Sequence, residues 1–289
     1  VNVDQADRLR ELVQGAEAPR PPLRVVAVTS GKGGVGKTHL ACNLGVLAAR
    51  EGRRVLVLDA DLGLANADIV LGIAPHHHLG NVLAGAVGLE EALATGPCGV
   101  RVLAASSGVQ ELTRLDDAQK LRLVSALEEV EDRFDLVVVD CGAGIGDNVL
   151  FFGGAAQEVL LVVSPEPTSL TDAYATVKVL SRQAGVERFL VVVNPVATAA
   201  HGREVFGRLT SVTDRFLDAR LTFLGHVPRD ENLQRALLAS RPVVELFPRA
   251  PSTRALQHLC RELLSHTPPP SLHGGLRFLW SRLQREAAT

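Results

Sequence analysis

The chain of 289 residues carries 46% hydrophobic and 21% charged side chains, a balance that excludes global disorder and allows one large domain or two small ones. A formal net charge of -2 excludes the broad positive field on which non-specific nucleic-acid binding depends. No apolar run approaches the roughly 18 residues of a spanning helix, so any membrane contact is expected to be superficial.

The opening segment VNVDQADRLREL is polar and lacks the apolar core of a secretion signal, which makes a cytoplasmic location the expectation. Asp4 can cap a short helix in which Leu9, Leu12 and Val13 share a face, and the spacer GAEAPRPP follows. From there, β-branched apolar runs recur at 24–30, 54–59, 100–106, 135–140, 158–164, 188–194 and 221–228. Apolar on both faces, they read as buried parallel strands. Between them lie helical periods such as THLACNLGVLAAR, DDAQKLRLVSALEEV, SLTDAYATVKVLSRQ and STRALQHLCRELL. The alternation predicts an α/β fold with a doubly wound, mostly parallel central sheet flanked by helices. The expected organisation is an N-terminal helix and spacer over 1–22, one domain over 23–266, a linker over 267–274 and a final helix over 275–289.

The first strand runs into SGKGGVGKTHLACNLG, which fits G-x-x-x-x-G-K-[ST] with Gly31, Gly36, Lys37 and Thr38. A strand before and a helix after supply the context of a phosphate-binding loop. Backbone N–H groups of such a loop close around phosphate oxygens, Lys37 reaches the β and γ phosphates, and Thr38 can ligate Mg²⁺. Only four lysines occur, and two of them, Lys32 and Lys37, fall in this stretch. Asp59 and Asp140 end the second and fourth runs, at the carboxyl ends of strands where an α/β sheet places its ligand. Asp140 fits a carboxylate that holds the Mg²⁺ shell through water. A plain turn carboxylate is the alternative for each.

The loop GKGGVGKT resembles the deviant Walker A loop of the MinD/ParA family of P-loop ATPases. In that family the extra lysine crosses a dimer interface to the nucleotide of the partner subunit, and the resemblance implies this role for Lys32. The residues alone equally allow Lys32 to neutralise phosphate in its own subunit. The resemblance further implies an ATP site formed by Gly31, Lys32, Gly33, Gly34, Val35, Gly36, Lys37, Thr38 and His39. In DADLGLAN it makes Asp61 the switch residue that orients the attacking water, with Asp59 nearer the metal. It assigns adenine recognition to Asn194, Val227, Pro228 and Arg229; a strand-end turn before Pro195 is the alternative for Asn194. His39 and Pro195 depart from the family's usual residues without removing a catalytic group.

DADLGLANADIVLGI, SSGVQELTRL, DCGAGIGDNVLFF and SPEPTSLTDAYATVKVL resemble the FlhG branch of the family, also called YlxH or FleN, whose members control flagellar number and placement. That branch carries a DQAxxLR segment that binds the flagellar GTPase FlhF and stimulates its hydrolysis. Asp4, Gln5, Ala6, Leu9 and Arg10 match it, with Gln5 placed to position a water. In the final helix Leu276, Leu279, Trp280 and Leu283 share one face, with Arg277, Arg282 and Arg285 on or beside the other. Such a helix suits an anionic bilayer, or else caps an apolar groove of the domain.

The resemblance implies a Mg²⁺-dependent ATPase forming an ATP-dependent homodimer, peripherally bound to anionic lipids of the inner membrane face. Partners are expected to be FlhF and a flagellar switch complex or transcription regulator, with no specific nucleic acid. A division-site regulator of the MinD kind and a ParA-like DNA partition ATPase are the alternative readings. Cys42, Cys98, Cys141 and Cys260 form no C-x-x-C pair and read as small core residues. His76, His77 and His78 read as a solvated loop, not a metal site.

Overall fold

The computed structural model describes residues 23–63, 65–105 and 115–266. The expected elements at 1–22 and 267–289, and most of SSGVQELTRL, lie outside the described residues. Eight strands form one sheet: β1 (Arg24–Ser30), β2 (Val55–Ala60), β3 (Ala94–Thr95), β4 (Arg101–Leu103), β5 (Leu136–Ala143), β6 (Glu158–Val163), β7 (Arg188–Val196) and β8 (Arg220–Pro228). Their order is β3-β4-β2-β5-β1-β6-β7-β8. Every pair is parallel except the short β3–β4 edge. All seven expected strands are present, although β4 stops short of Ser106. The two-residue β3 is too short to leave a periodic trace.

The helices are α1 (Lys37–Arg50), α2 (Ala67–Leu71), α3 (Leu79–Leu83), α4 (Leu89–Ala92), α5 (Asp117–Glu128), α6 (Asp147–Ala155), α7 (Pro167–Ala184), α8 (Ala199–Phe216), α9 (Glu231–Leu238), α10 (Val243–Leu246) and α11 (Pro251–Ser265). Alternation along the strands divides the core in two layers, because successive side chains point to opposite faces. Val26, Val28, Val57 and Val138 meet Leu40, Leu44 and Leu47 of α1 and Leu256, Leu259 and Leu263 of α11. On the other face Val25, Ala27, Leu56 and Val137 meet α3, α5 and α6, while Val191 and Val193 meet α7 and α8. Both faces are therefore dry, which explains strands written almost entirely in valine and leucine.

Two buried charges are matched at the base of the sheet. Arg24 Nε donates to Glu158 Oε2 at 2.6 Å, joining the first residues of β1 and β6, and Arg24 Nη1 donates to the Leu263 carbonyl at the end of α11 at 2.5 Å. Cys42, Cys141 and Cys260 are buried as expected, but Cys98 is exposed. It sits at φ 56° in the turn before β4, where its Sγ accepts from Arg50 Nε at 3.3 Å. A turn that needs a left-handed residue overrides the apolar preference of the thiol. His78 is also partly buried, and its backbone N–H donates to Asn81 Oδ1 at 2.9 Å at the start of α3, so the histidine run is not wholly a solvated loop.

Removing one member of a buried ion pair leaves the other charge unmatched. Arg24→Ala is expected to lower stability by about 3–5 kcal/mol, and the Arg24→Leu, Glu158→Leu double variant to recover most of that loss. Urea unfolding of the three proteins checks the expectation.

Candidate nucleotide site

The end of β1 and the start of α1 hold the glycine loop between two rigid elements. Gly34 and Gly36 adopt φ of 77° and 87°, a region open to glycine without penalty, and Gly36 precedes α1 directly. The unpaired N–H groups of the first helical turn are thereby presented to the loop. Gly31 is required for another reason: a Cβ there would overlap the Asp172 backbone of α7. Lys37 is 6% exposed. Lys32 lies at the surface and donates to Glu166 Oε2 at 2.6 Å, a residue that precedes α7. The Glu166 carboxylate raises the Lys32 pKa.

Three carboxylates converge at the carboxyl ends of β2 and β5. Asp59 and Asp140 are direct register partners on the two strands. Asp59 is fully buried, and its oxygens accept the N–H groups of Asp61, Asn66 and Ala67, each at 3.1 Å. It thus fixes the course of the 61–67 loop and the start of α2. Asp61 lies against Gly142, where a Cβ would stand 3.5 Å from its Oδ1. Asp140 is 1% exposed, and neither oxygen has a hydrogen-bond partner among the described residues. Burial first, then the Asp59 charge, pushes the Asp140 pKa up, opposed by the Thr38 hydroxyl and the Lys37 ammonium. Burial likewise raises Asp59, against its three N–H donors. A dry carboxylate without a donor, flanked by a second one, a hydroxyl and a glycine cradle, is a donor set suited to Mg²⁺ beside phosphate.

Beside the loop opens a cavity of about 490 Å³, walled by Val35, Leu40, Val227, Leu233 and Leu256 and closed by Asn194 and Pro195. Asn194 Nδ2 donates to the Val35 carbonyl at 2.7 Å, and its Oδ1 is buried without a partner. A Cβ on Gly36 would stand 2.5 Å from Asn194 Nδ2, so Asn194 and the glycine loop are fitted to each other. The orphaned Oδ1 is an acceptor suited to an exocyclic amine, and the apolar walls suit a flat base. His39 also lines the cavity, and burial lowers its pKa.

Residues 26–243 match the CobQ/CobB/MinD/ParA nucleotide binding domain. Over 268 residues the chain is 46% identical to the antiactivator FleN of Pseudomonas aeruginosa, covering 93% of this chain and 96% of that protein. The chain belongs to the FleN/YlxH branch of the MinD/ParA family. The flagellum site-determining protein YlxH of Helicobacter pylori is 30% identical over 264 residues, 90% of this chain and 89% of its own. Among MinD/ParA structures, the septum site-determining protein MinD of Pyrococcus horikoshii, complexed with Mg-ADP, matches with a TM-score of 0.68 at 26% identity, covering 84% of this chain and 96% of that one.

The fold brings most of the expected MinD/ParA residues together. Lys37, Thr38, Asp59, Asp61 and Asp140 gather at the ends of β2 and β5, while Gly34, Val35, Gly36, His39, Asn194, Val227 and Arg229 line the cavity. Lys32 stands apart in its contact with Glu166, and Gly33 borders open space. Asp4, Gln5, Ala6, Leu9 and Arg10, and Leu276, Arg277, Leu279, Trp280 and Leu283, lie outside the described residues. Motif reading missed Glu166, and it missed Asp230, which lines the cavity and caps α9. Asp230 Oδ1 accepts from Asn232 N and Nδ2, and Oδ2 from Ser252 N and Oγ, the last at 2.7 Å, so one carboxylate ties α9 to α11. Nothing in the sequence pairs positions so far apart; the amphipathic spacing of α9 was the available signal for that wall.

Burial raises the Asp230 pKa, but the four hydrogen bonds outweigh it and hold the carboxyl below its ordinary value. Asp230→Asn is expected to cost about 1–2 kcal/mol at pH 7. A lowered folded pKa means that this stability is fully present above the unfolded value near 4 and is lost as pH falls through the folded one. The gap in urea-unfolding free energy between wild type and variant should therefore close on acidification.

Proposed function

We propose that this chain is a MinD-type ATPase that regulates flagellar number and placement, joined into a homodimer by ATP and released by hydrolysis to ADP and phosphate. The observation that carries the reading is the buried, donor-free Asp140 carboxylate set against a glycine phosphate loop. The similarity to FleN and YlxH supports its flagellar side.

In this reading the loop N–H groups and Lys37 hold the phosphates. Thr38, Asp59 and Asp140 would hold Mg²⁺, the carboxylates through water, and the ion supplies positive charge against the β and γ phosphates when bound. Asp61 orients the attacking water, and Asp59 keeps Asp61 in place through its grip on the 61–67 loop. Adenine enters the cavity and gives an amine N–H to Asn194 Oδ1. Lys32 leaves Glu166 and crosses to the nucleotide of the second subunit, so the intrasubunit ion pair marks the undimerised state.

The segments at 1–22 and 275–289 complete the reading. Asp4, Gln5, Ala6, Leu9 and Arg10 engage and stimulate FlhF, with Gln5 entering its active site. A switch-complex component or transcription regulator of the flagellum is a further partner. Leu276, Arg277, Leu279, Trp280 and Leu283 attach the ATP-held dimer to anionic lipids, two tails gaining by avidity what one lacks. Among the described residues no helix is long and apolar enough to cross a membrane, which is compatible with a cytoplasmic protein held peripherally at the inner membrane face.

Light scattering with phosphate release tests the switch. The wild type should be dimeric with ATP and monomeric with ADP. Asp61→Ala should dimerise with ATP yet lose at least 100-fold in hydrolysis, and Lys32→Ala should lose both properties. Nucleotide-independent mass would overturn the proposal.

Trp280 is the only tryptophan, so its emission reports the tail directly. Vesicles containing anionic lipid should shift it to the blue and pellet the protein with ATP but not with ADP. Binding to neither state would assign the tail to packing.

A further inference from the structure

His39 is the third residue of α1 and carries no side-chain hydrogen bond to the described residues, although its carbonyl accepts from Asn43 Nδ2 at 2.7 Å. Successive helix residues are about 100° apart around the axis. Lys37 and Thr38 act toward Asp140, whereas His39 forms part of the cavity wall shared with Asn194 and Arg229. The imidazole is thus on the base side of the loop and removed from the carboxylate cluster. Apart from His39 and the buried Asn194 amide, the wall nearest the loop is apolar: Val35, Leu40, Pro195 and Val227. A partly buried ring with a donor and an acceptor and no protein partner needs something to meet it when the cavity fills.

We propose that His39 is a specificity contact of this site, its imidazole meeting the sugar and base of a bound purine nucleotide from the phosphate-loop side while Asn194 meets the base from β7. The inference rests on the nucleotide reading above and deepens it. Two consequences separate it from a role at the phosphates. The contact is the same for a diphosphate and a triphosphate, because it does not involve the γ phosphate. It is absent for pyrophosphate, which fills the loop and leaves the cavity empty.

Calorimetric titration of the full chain with Mg-ADP, a non-hydrolysable ATP analogue and pyrophosphate tests it, in wild type, His39→Ala and His39→Asn, with apo unfolding temperatures to establish that each is folded. His39→Ala should weaken the diphosphate and the triphosphate by the same factor of about ten, equivalent to 1.4 kcal/mol, and leave pyrophosphate unchanged. His39→Asn, which retains a donor and an acceptor, should recover part of the loss. Equal affinities for ADP in wild type and His39→Ala would overturn the inference, as would equal weakening of ADP and pyrophosphate, which would place the ring at the phosphates. A wild type that binds pyrophosphate but not ADP overturns the inference and leaves the loop reading intact; one that binds neither overturns both.

Discussion

Asp59 and Asp140 stand side by side on adjacent strands at the centre of the sheet, both out of water and both carboxylates. Two like charges in a medium of low polarity repel strongly, and burial alone disfavours each of them. The two residues meet this difficulty differently. Asp59 is surrounded by three backbone N–H groups, so it is stabilised by the protein and serves the geometry of the loop beyond it. Asp140 has no such donor, and its environment is completed only by charge brought from outside. The core thereby ties an otherwise self-sufficient α/β domain to a cation and to the phosphates that carry it.

Around that pair, the base-side wall is held by contacts between distant parts of the chain. Asn194 joins β7 to the glycine loop through the Val35 carbonyl. Asp230 joins α9 to α11. The Arg24 and Glu158 pair anchors the opposite end of the same strands, and Arg24 also reaches the last turn of α11. The site thus sits on rigid strand ends, while its outer wall is a short helix attached by one side chain.

Much of this was legible from residue order. Continuous Val and Leu runs marked the parallel strands because both sheet faces are covered, and the loop motif placed Lys37, Thr38 and the glycines because its spacing is tied to a single backbone path. The carboxylates followed from their position at strand ends. What escaped depends on meetings between segments far apart. Glu166 beside Lys32, Ser252 beside Asp230 and the partnerless Oδ1 of Asn194 leave no periodic trace, and Cys98 was misplaced because backbone conformation, not hydrophobicity, decided its position.

The loop is also joined to α7 twice within two residues. Gly31 packs on the Asp172 backbone so closely that no side chain fits between them, and Lys32 is held by Glu166 just before the same helix. With 18 residues, α7 spans about 27 Å, and its far end at Ala184 lies well away from the phosphates. A helix of that length is stiff, so tilting it carries the loop along. The near end of α7 is the short arm of a lever whose long arm lies on the outer surface of the domain, and a push delivered there arrives at the phosphates as a change in loop position.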